Sequence, residues 1–327
     1  MNFRCSVFAS MRGKNTANAD AFASILTMQW RKNTHPKRVR ILTQLLKEET
    51  MESIKRVAAI NDLSGFCRCS LSVAIPIISA MGLWCCPLPT AILSNHTGYD
   101  DFFFDDYTEK MESYYKMWKT NNVNFDSIYT GFLGSVKQID IVMDFIKNFK
   151  NDKNIVVVDP VMGDDGVLYS TYTKDMQLEM KKLIKYAFVI TPNVTECSFL
   201  SDTKYEGEHI SIDKARDMCK KIEGPKNIVL TGIRSKDKII NFVYNTQTKE
   251  ETIVSRNAVD VYYAGTGDVF SSALCAFLTK GFNLKESVEK SAKFVEEAVK
   301  HTFMCKLDNK EGLAIEKCLN LLWEENL

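Results

Sequence analysis

No stretch of the chain reaches the run of about 18 apolar residues that a membrane-spanning helix needs. No basic segment followed by an apolar core and a cleavage site marks a secretory signal either. The chain also lacks an excess of one charge: 42 Lys and Arg stand against 41 Asp and Glu, a net +1 at pH 7. That balance gives no reason to expect a nucleic-acid or membrane partner. No G-x-x-x-x-G-K-[ST] occurs and no G-x-G-x-x-G follows a strand, which excludes a P-loop or a dinucleotide fingerprint. Ten cysteines are present but without zinc spacing, since Cys67 and Cys69 make only a C-x-C. Most of the others sit in apolar runs such as Leu83-Trp84-Cys85-Cys86-Pro87, as reduced core thiols do. No internal repeat is found. A cytoplasmic location is the expectation.

What is present is a chain of 327 residues, 45% hydrophobic and 25% charged, long enough for a large α/β core. Residues 1–50 differ in texture from the rest, with nine Lys and Arg against three acids. Met51-Glu52-Ser53-Ile54-Lys55-Arg56 then resembles an ordinary N-terminus leading into a first strand. We therefore expect residues 1–53 to be a basic extension outside the core, arising from an upstream start or serving as a leader. Residues 54–327 form the folded domain.

Within 54–327, short β-branched runs alternate with longer segments of helical period. Strands are expected at 57–60, 84–93, 127–130, 155–158, 188–190 and 228–230, with a hairpin of 239–244 and 251–255. Helices are expected at 70–81, 106–121, 135–149, 174–185, 195–201, 211–222, 267–280, 285–302 and 312–325. Ile155-Val156-Val157-Val158 has the composition of a strand buried on both faces, as in a parallel sheet. Repeated β-α units predict right-handed crossovers and a three-layer α/β/α architecture with a central, mostly parallel sheet.

Ligands of such sheets gather at the carboxyl ends of the strands. Those ends here read Asn61-Asp62, Gly131-Phe132-Leu133-Gly134, Asp159-Pro160-Val161-Met162-Gly163-Asp164, Thr191-Pro192-Asn193-Val194-Thr195-Glu196 and Thr231-Gly232. Taken singly, each is also an ordinary turn. Asp159, Asp164 and Glu196 offer the hard oxygen donors that Mg²⁺ and a triphosphate require. Late in the chain, Ala264-Gly265-Thr266-Gly267-Asp268 opens an apolar helix. Its glycines allow backbone N–H groups to converge at a helix N-terminus, an arrangement that holds an anion. Asp268 beside that nest is either a helix cap or a base that takes a proton from an attacking hydroxyl.

From Val57 to about Thr302, these residues resemble the ribokinase-like superfamily and, within it, the pyridoxal, pyridoxine and pyridoxamine kinases of vitamin B6 salvage. The resemblance is carried by Ser94-Asn95-His96-Thr97-Gly98-Tyr99, Gly131 to Ser135, Asp159 to Asp164, Thr191-Pro192-Asn193 with Glu196, and Gly265-Thr266-Gly267-Asp268. It implies an ATP-dependent kinase that phosphorylates the 5′-hydroxymethyl of a B6 vitamer, uses Mg²⁺ and a monovalent cation such as K⁺, and forms a homodimer. It further implies that Asp268 is the base and that Gly265, Thr266 and Gly267 form the anion hole. Asp159, Asp164, Thr191, Asn193 and Glu196 would surround the metal ions and phosphates, and Tyr169, Thr231 and Gly232 would lie along the nucleotide. Asp62, His96, Thr97, Gly98 and Phe132 would meet the pyridine. One departure stands out: many pyridoxal kinases have Ser-His after the first strand, whereas Asn61-Asp62 here is closer to hydroxymethylpyrimidine kinases and to a group of bacterial pyridoxamine kinases. A hydroxymethylpyrimidine kinase of thiamine synthesis is therefore the enzymatic alternative, and a B6-binding carrier the non-enzymatic one.

Overall fold

The computed structural model describes residues 54–324, and the expectation for residues 1–53 lies outside them. The domain is built on a nine-stranded sheet. Strand β1 (Arg56–Phe66) is followed by helix α1 (Ser70–Ala80), β2 (Trp84–Asn95) and the short antiparallel β3 (Phe104–Asp106). Helix α2 (Thr108–Thr120), β4 (Ser127–Thr130), α3 (Val136–Phe149) and β5 (Ile155–Val158) come next. A small hairpin, β6 (Gly163–Asp164) and β7 (Val167–Leu168), precedes α4 (Lys174–Leu183), β8 (Val189–Ile190), α5 (Val194–Leu200) and α6 (Ile212–Lys221). The chain ends with β9 (Asn227–Ser235), β10 (Lys238–Asn245), β11 (Glu251–Asn257), α7 (Thr266–Lys280), α8 (Leu284–Met304) and the short α9 (Asn320–Glu324).

The strand order is β11-β10-β9-β8-β5-β4-β1-β2-β3, parallel from β9 through β2, with antiparallel strands at both edges. The chain moves from β1 to β2 on one side and then crosses back to β4 on the other. The order therefore reverses between β1 and β4, the place where a crevice opens at the strand ends.

Alternation along each strand divides the core in two, because successive side chains point to opposite faces. Ala58, Ile60, Ile128, Val156, Val158, Ile190 and Ile228 face α2 through α6, in a core that includes Met111, Phe145, Met180 and Met218. Val57, Ala59, Tyr129, Val157, Val189 and Val229 face the other way, onto α1, α7 and α8, with Leu71, Ile77, Leu274 and Phe294. Both faces being dry, the strands are apolar throughout, as the sequence suggested.

One expected element does not form. In place of a helix over 312–325 there is a 3₁₀ turn at Asn309–Glu311, an irregular segment, and then α9. Gly312 holds a left-handed φ of 80°, and a Cβ there would lie 2.5 Å from the Arg68 carbonyl oxygen. The segment is drawn against the site as backbone: Arg68 N–H donates to the Glu311 carbonyl and Ala264 N–H to the Asn309 carbonyl. Those tertiary bonds outweigh the helical pattern of the sequence.

Candidate active site

Gly265 is the N-cap of α7 with φ 73°, and a Cβ on it would lie 2.3 Å from the Arg68 carbonyl oxygen. Only glycine fits there. The N–H groups of Thr266, Gly267 and Asp268 follow, with no intrahelical acceptor and at the positive end of the helix dipole. A Cβ on Gly267 would meet nothing within 4 Å, so the approach to these amides is open. The Thr266 hydroxyl donates to the Tyr263 carbonyl at 2.7 Å and is spent on the turn.

Asp268 is the third residue of α7, and no side chain caps the helix. Its Oδ1 instead accepts at 3.2 Å from Nδ2 of Asn61, a residue within β1 just past the end of its pairing with β4. The helix-cap alternative therefore gives way. Burial raises the Asp268 pKa to about 6, opposed by the Ser70 N–H, raised further by the Asp62 charge and opposed again by the Asn61 side chain.

In front of the amides lies a cleft of about 300 Å³. It takes in every residue expected along the nucleotide, namely Asp159, Asp164, Tyr169, Thr191, Asn193, Glu196, Thr231 and Gly232, with Gly265 to Asp268 at one end. Its walls include residues the sequence did not single out. Val259, Val261, Val295 and Val299 form an apolar surface, and Arg234, Arg256 and Tyr262 add polar groups. Asn241 and Asn257 also line it.

The acids of the cleft are arranged in two ways. Asp159, at the end of β5, is buried; desolvation and then the Asp268 charge raise its pKa to about 7, while the Ser271 and Thr191 hydroxyls oppose this. Those two hydroxyls lie 2.9 Å apart. Glu196 is buried in a capping box: Oε2 accepts from Asn193 N–H at 2.9 Å and Oε1 from Met162 N–H at 3.1 Å. Burial and the Asp159 charge raise its pKa well above the usual glutamate range. Burial likewise raises the pKa of Asp164.

Asp159, Asp164 and Glu196, expected to offer Mg²⁺ oxygen ligands or water-mediated carboxylates, all line this cleft. Both Glu196 oxygens already hold backbone amides. Among the described residues, the acids whose oxygens lie within 4.8 Å of one another are Asp164, Asp165 and Glu208. The donor set nevertheless fits Mg²⁺, since none of Asp159, Asp164, Glu196 and Asp268 makes an ion pair among the described residues and an oxygen-only, water-bridged site is what that ion accepts.

On the other side of Asp268, Asp62 is 6% exposed and accepts the Ser64 hydroxyl at 2.9 Å. Burial raises its pKa; the Ser70 and Ser64 hydroxyls, its own backbone N–H and then the His96 charge lower it. Phe132 joins this side through its N–H, which Asn61 Oδ1 accepts at 2.7 Å. His96, Thr97 and Gly98 lie on a largely exposed segment beyond β2. His96 Nδ1 accepts from Gly98 N–H at 3.0 Å, so the network assigns the proton to Nε2, which donates to the Lys310 carbonyl at 2.7 Å. None of these five residues lines the nucleotide cleft. Asn61, which the sequence gave no reason to single out beyond its place at a strand end, links the two sides.

Among the described residues all nine cysteines are free, and no helix is long and apolar enough to cross a membrane.

Comparison with known proteins agrees with this geometry. Pyridoxine kinase of Bacillus subtilis is 33% identical over 189 residues, 56% of this chain and 67% of that protein. A Bacteroides thetaiotaomicron protein described as a phosphomethylpyrimidine kinase, crystallised with pyridoxal, superposes with a TM-score of 0.77 at 41% identity and covers 83% of this chain and 96% of that one. Pyridoxal kinase of Lactobacillus plantarum superposes with a TM-score of 0.77 at 25% identity, covering 84% of this chain and 98% of its own. The three-layer α/β/α architecture is thus the ribokinase-like fold. The family model described as phosphomethylpyrimidine kinase matches residues 75–312, and the chain belongs to that family.

Proposed function

We propose that this protein is a B6 vitamer kinase that transfers the γ-phosphoryl group of ATP to the 5′-hydroxymethyl of pyridoxal, pyridoxine or pyridoxamine. The observation that carries the reading is the placing of Asp268. It is a carboxylate with no cationic partner among the described residues, in the first turn of a helix that opens on the cleft, and it is bonded on its other side to buried Asn61. A protein that only bound a vitamer would gain nothing from an acid next to an anion nest. The pyridoxal complex of the 41% identical Bacteroides protein supports the acceptor class.

In this mechanism Asp268 takes the proton of the 5′-hydroxyl, the freed oxygen forms its bond to the γ-phosphorus, and the bond to the ADP oxygen breaks. The amides of Gly265, Thr266 and Gly267, continued by that of Asp268, hold the phosphoryl oxygens during transfer, which is mostly a matter of position and charge. Val259, Val261, Val295 and Val299 supply an apolar surface for the adenine. Mg²⁺, held by Asp159 and Asp164 and through water by Glu196, would neutralise charge on the phosphates. Tyr169, Thr191, Asn193, Thr231 and Gly232 line the path of the triphosphate. Asp62, His96, Thr97, Gly98 and Phe132 are assigned to the pyridine side, K⁺ is the monovalent cation to test, and the assembly is a homodimer in the cytoplasm. The unpaired thiols support that compartment. Exposed Ile92, Phe102, Phe103 and Phe104 along the β2–β3 edge support association, which sedimentation would measure.

The family description favours one second reading, phosphorylation of hydroxymethylpyrimidine or its phosphate. Purified protein incubated with ATP, Mg²⁺ and each B6 vitamer or hydroxymethylpyrimidine, with detection of the phosphorylated product, separates the two. Preference for the pyrimidine overturns the B6 assignment, and vitamer binding without ATP consumption makes the protein a carrier.

A further inference from the structure

Asn61 lies within β1, just past the end of its pairing with β4, has no exposed surface, sits where the sheet order reverses, and bonds through both ends of its amide. Its Oδ1 faces two backbone donors, the Asp62 N–H at 3.0 Å and the Phe132 N–H at 2.7 Å. An amide oxygen is the only end of the group that can meet two N–H donors, which leaves Nδ2 to face Asp268 Oδ1 at 3.2 Å. The amide cannot flip without losing all three bonds.

The backbone is shaped around this side chain. Gly131 N–H donates to the Ile60 carbonyl at 2.9 Å, bringing the turn after β4 against the middle of β1. A Cβ on Gly131 would lie 2.2 Å from Asn61 Nδ2 and 2.8 Å from Oδ1. No left-handed φ requires glycine at 131, so what requires it there is the room Asn61 occupies.

We propose that Asn61 is the positioning residue for Asp268: its Nδ2 holds Oδ1 of the carboxylate and turns Oδ2 toward the acceptor hydroxyl, while its Oδ1 fixes the β4 turn that carries Phe132. With the Ser70 N–H, which also bonds the Asp268 carboxylate, this side chain sets the base relative to both halves of the site. This rests on Asp268 being the base; it does not depend on which alcohol is the substrate.

Asn61→Ala and Gly131→Ala test it by different routes, since the first removes the amide and the second keeps it but fills its place. Both variants are expected to lower kcat by roughly 10–10²-fold with KM for ATP within about threefold of wild type, because a misplaced reacting group costs rate rather than nucleotide binding. The ratio is taken on whichever alcohol the wild type phosphorylates, so a wrong substrate assignment leaves the test intact. A second readout needs no turnover. The ¹³C titration of the Asp268 carboxyl, identified by its loss in Asp268→Asn, should move upward from about 6 in both variants, because the lost N–H favoured the ionised form. The other titratable groups facing Asp268 are Asp62, Cys69, Tyr129, Asp159 and Tyr169, and both variants leave them in place. An unchanged kcat, or an unmoved Asp268 titration in a folded variant, overturns the proposal. If Asn61→Ala does not fold, Gly131→Ala decides alone by the same two readouts.

Discussion

Gly265 and Arg68 meet backbone to backbone: a Cβ on Gly265 would lie 2.3 Å from the Arg68 carbonyl oxygen, at a residue already held at φ 73°. Gly267, two positions on, would carry a Cβ that touches nothing within 4 Å. The first glycine is required by the protein and the second by what approaches it. Gly265→Ala is therefore expected to lose about 1–3 kcal/mol of stability, from the left-handed backbone and the overlap together. Gly267→Ala is expected to melt like the wild type and still lose turnover. Thermal melts and steady-state rates on the pair check this, and a normal rate in Gly267→Ala would remove its amide from the anion hole.

Asp268→Asn keeps the shape of the side chain and removes its basicity. Turnover should fall by roughly 10²–10⁴-fold, the usual weight of a general base, with ATP binding retained. Calorimetric titration with ATP alongside the product assay separates the two effects. Near-wild-type turnover would reduce Asp268 to a structural contact of Asn61.

The pH dependences of rate and stability run in opposite directions. Asp268 must be ionised to accept a proton, so with its pKa raised to about 6 the rate should fall about tenfold per pH unit below that value. Asp159 is raised from 3.8 to about 7, so the fold favours its protonated form. Its contribution to stability is complete below the unfolded value near 4 and is lost as the pH rises through about 7. Asp159→Asn should gain in melting temperature over wild type at about pH 8 and gain nothing at about pH 3.5. Parallel melts at the two pH values give the answer, and an equal effect at both would show that Asp159 is not held protonated.

Glu196 holds two backbone amides, Asn193 N–H and Met162 N–H, one on each oxygen. In Glu196→Gln one of them must face an NH₂ group. A loss of roughly 1–3 kcal/mol in stability is expected, together with a raised KM for Mg·ATP, because the turn from Asp159 to Asp164 hangs on the Met162 bond. Urea melts and ATP saturation curves measure the two. A raised KM without any loss of stability would point to direct metal ligation instead.

How far the sequence carried depended on whether a signal was local. The apolar runs named β4, β5, β8 and β9, and the ends of β5 and β8 brought Asp159, Asn193 and Glu196 to one edge, because a parallel sheet aligns its strand ends. Gly265 to Asp268 was legible for the same reason, as a turn opening a helix. The apolar wall of the cleft was not: Val259 and Val261 precede α7 while Val295 and Val299 lie on α8, and no periodicity ties them together. Asn61 escaped because an Asn after a strand is an ordinary turn residue until Asp268, 207 positions away, is placed beside it. The segment after α8 misled for the opposite reason, since its apolar spacing suits a helix while Gly312 and the Arg68 backbone hold it extended.

Asp62 bears on which vitamer is preferred. It is buried, the Ser70 and Ser64 hydroxyls meet its carboxylate, and no Lys or Arg pairs with it among the described residues. An acid so placed costs stability unless a cation arrives, and the cationic groups of this acceptor class are the protonated pyridine nitrogen and the aminomethyl group of pyridoxamine. Asp62→Asn preserves the shape and removes the charge, so kcat/KM for pyridoxamine should fall about tenfold more than for pyridoxal, the ratio expected for a charge-assisted bond replaced by a neutral one. Competition assays with both vitamers in one mixture report that ratio directly. Equal losses on the two would place the Asp62 contact at the ring, which both share, rather than at the 4-substituent.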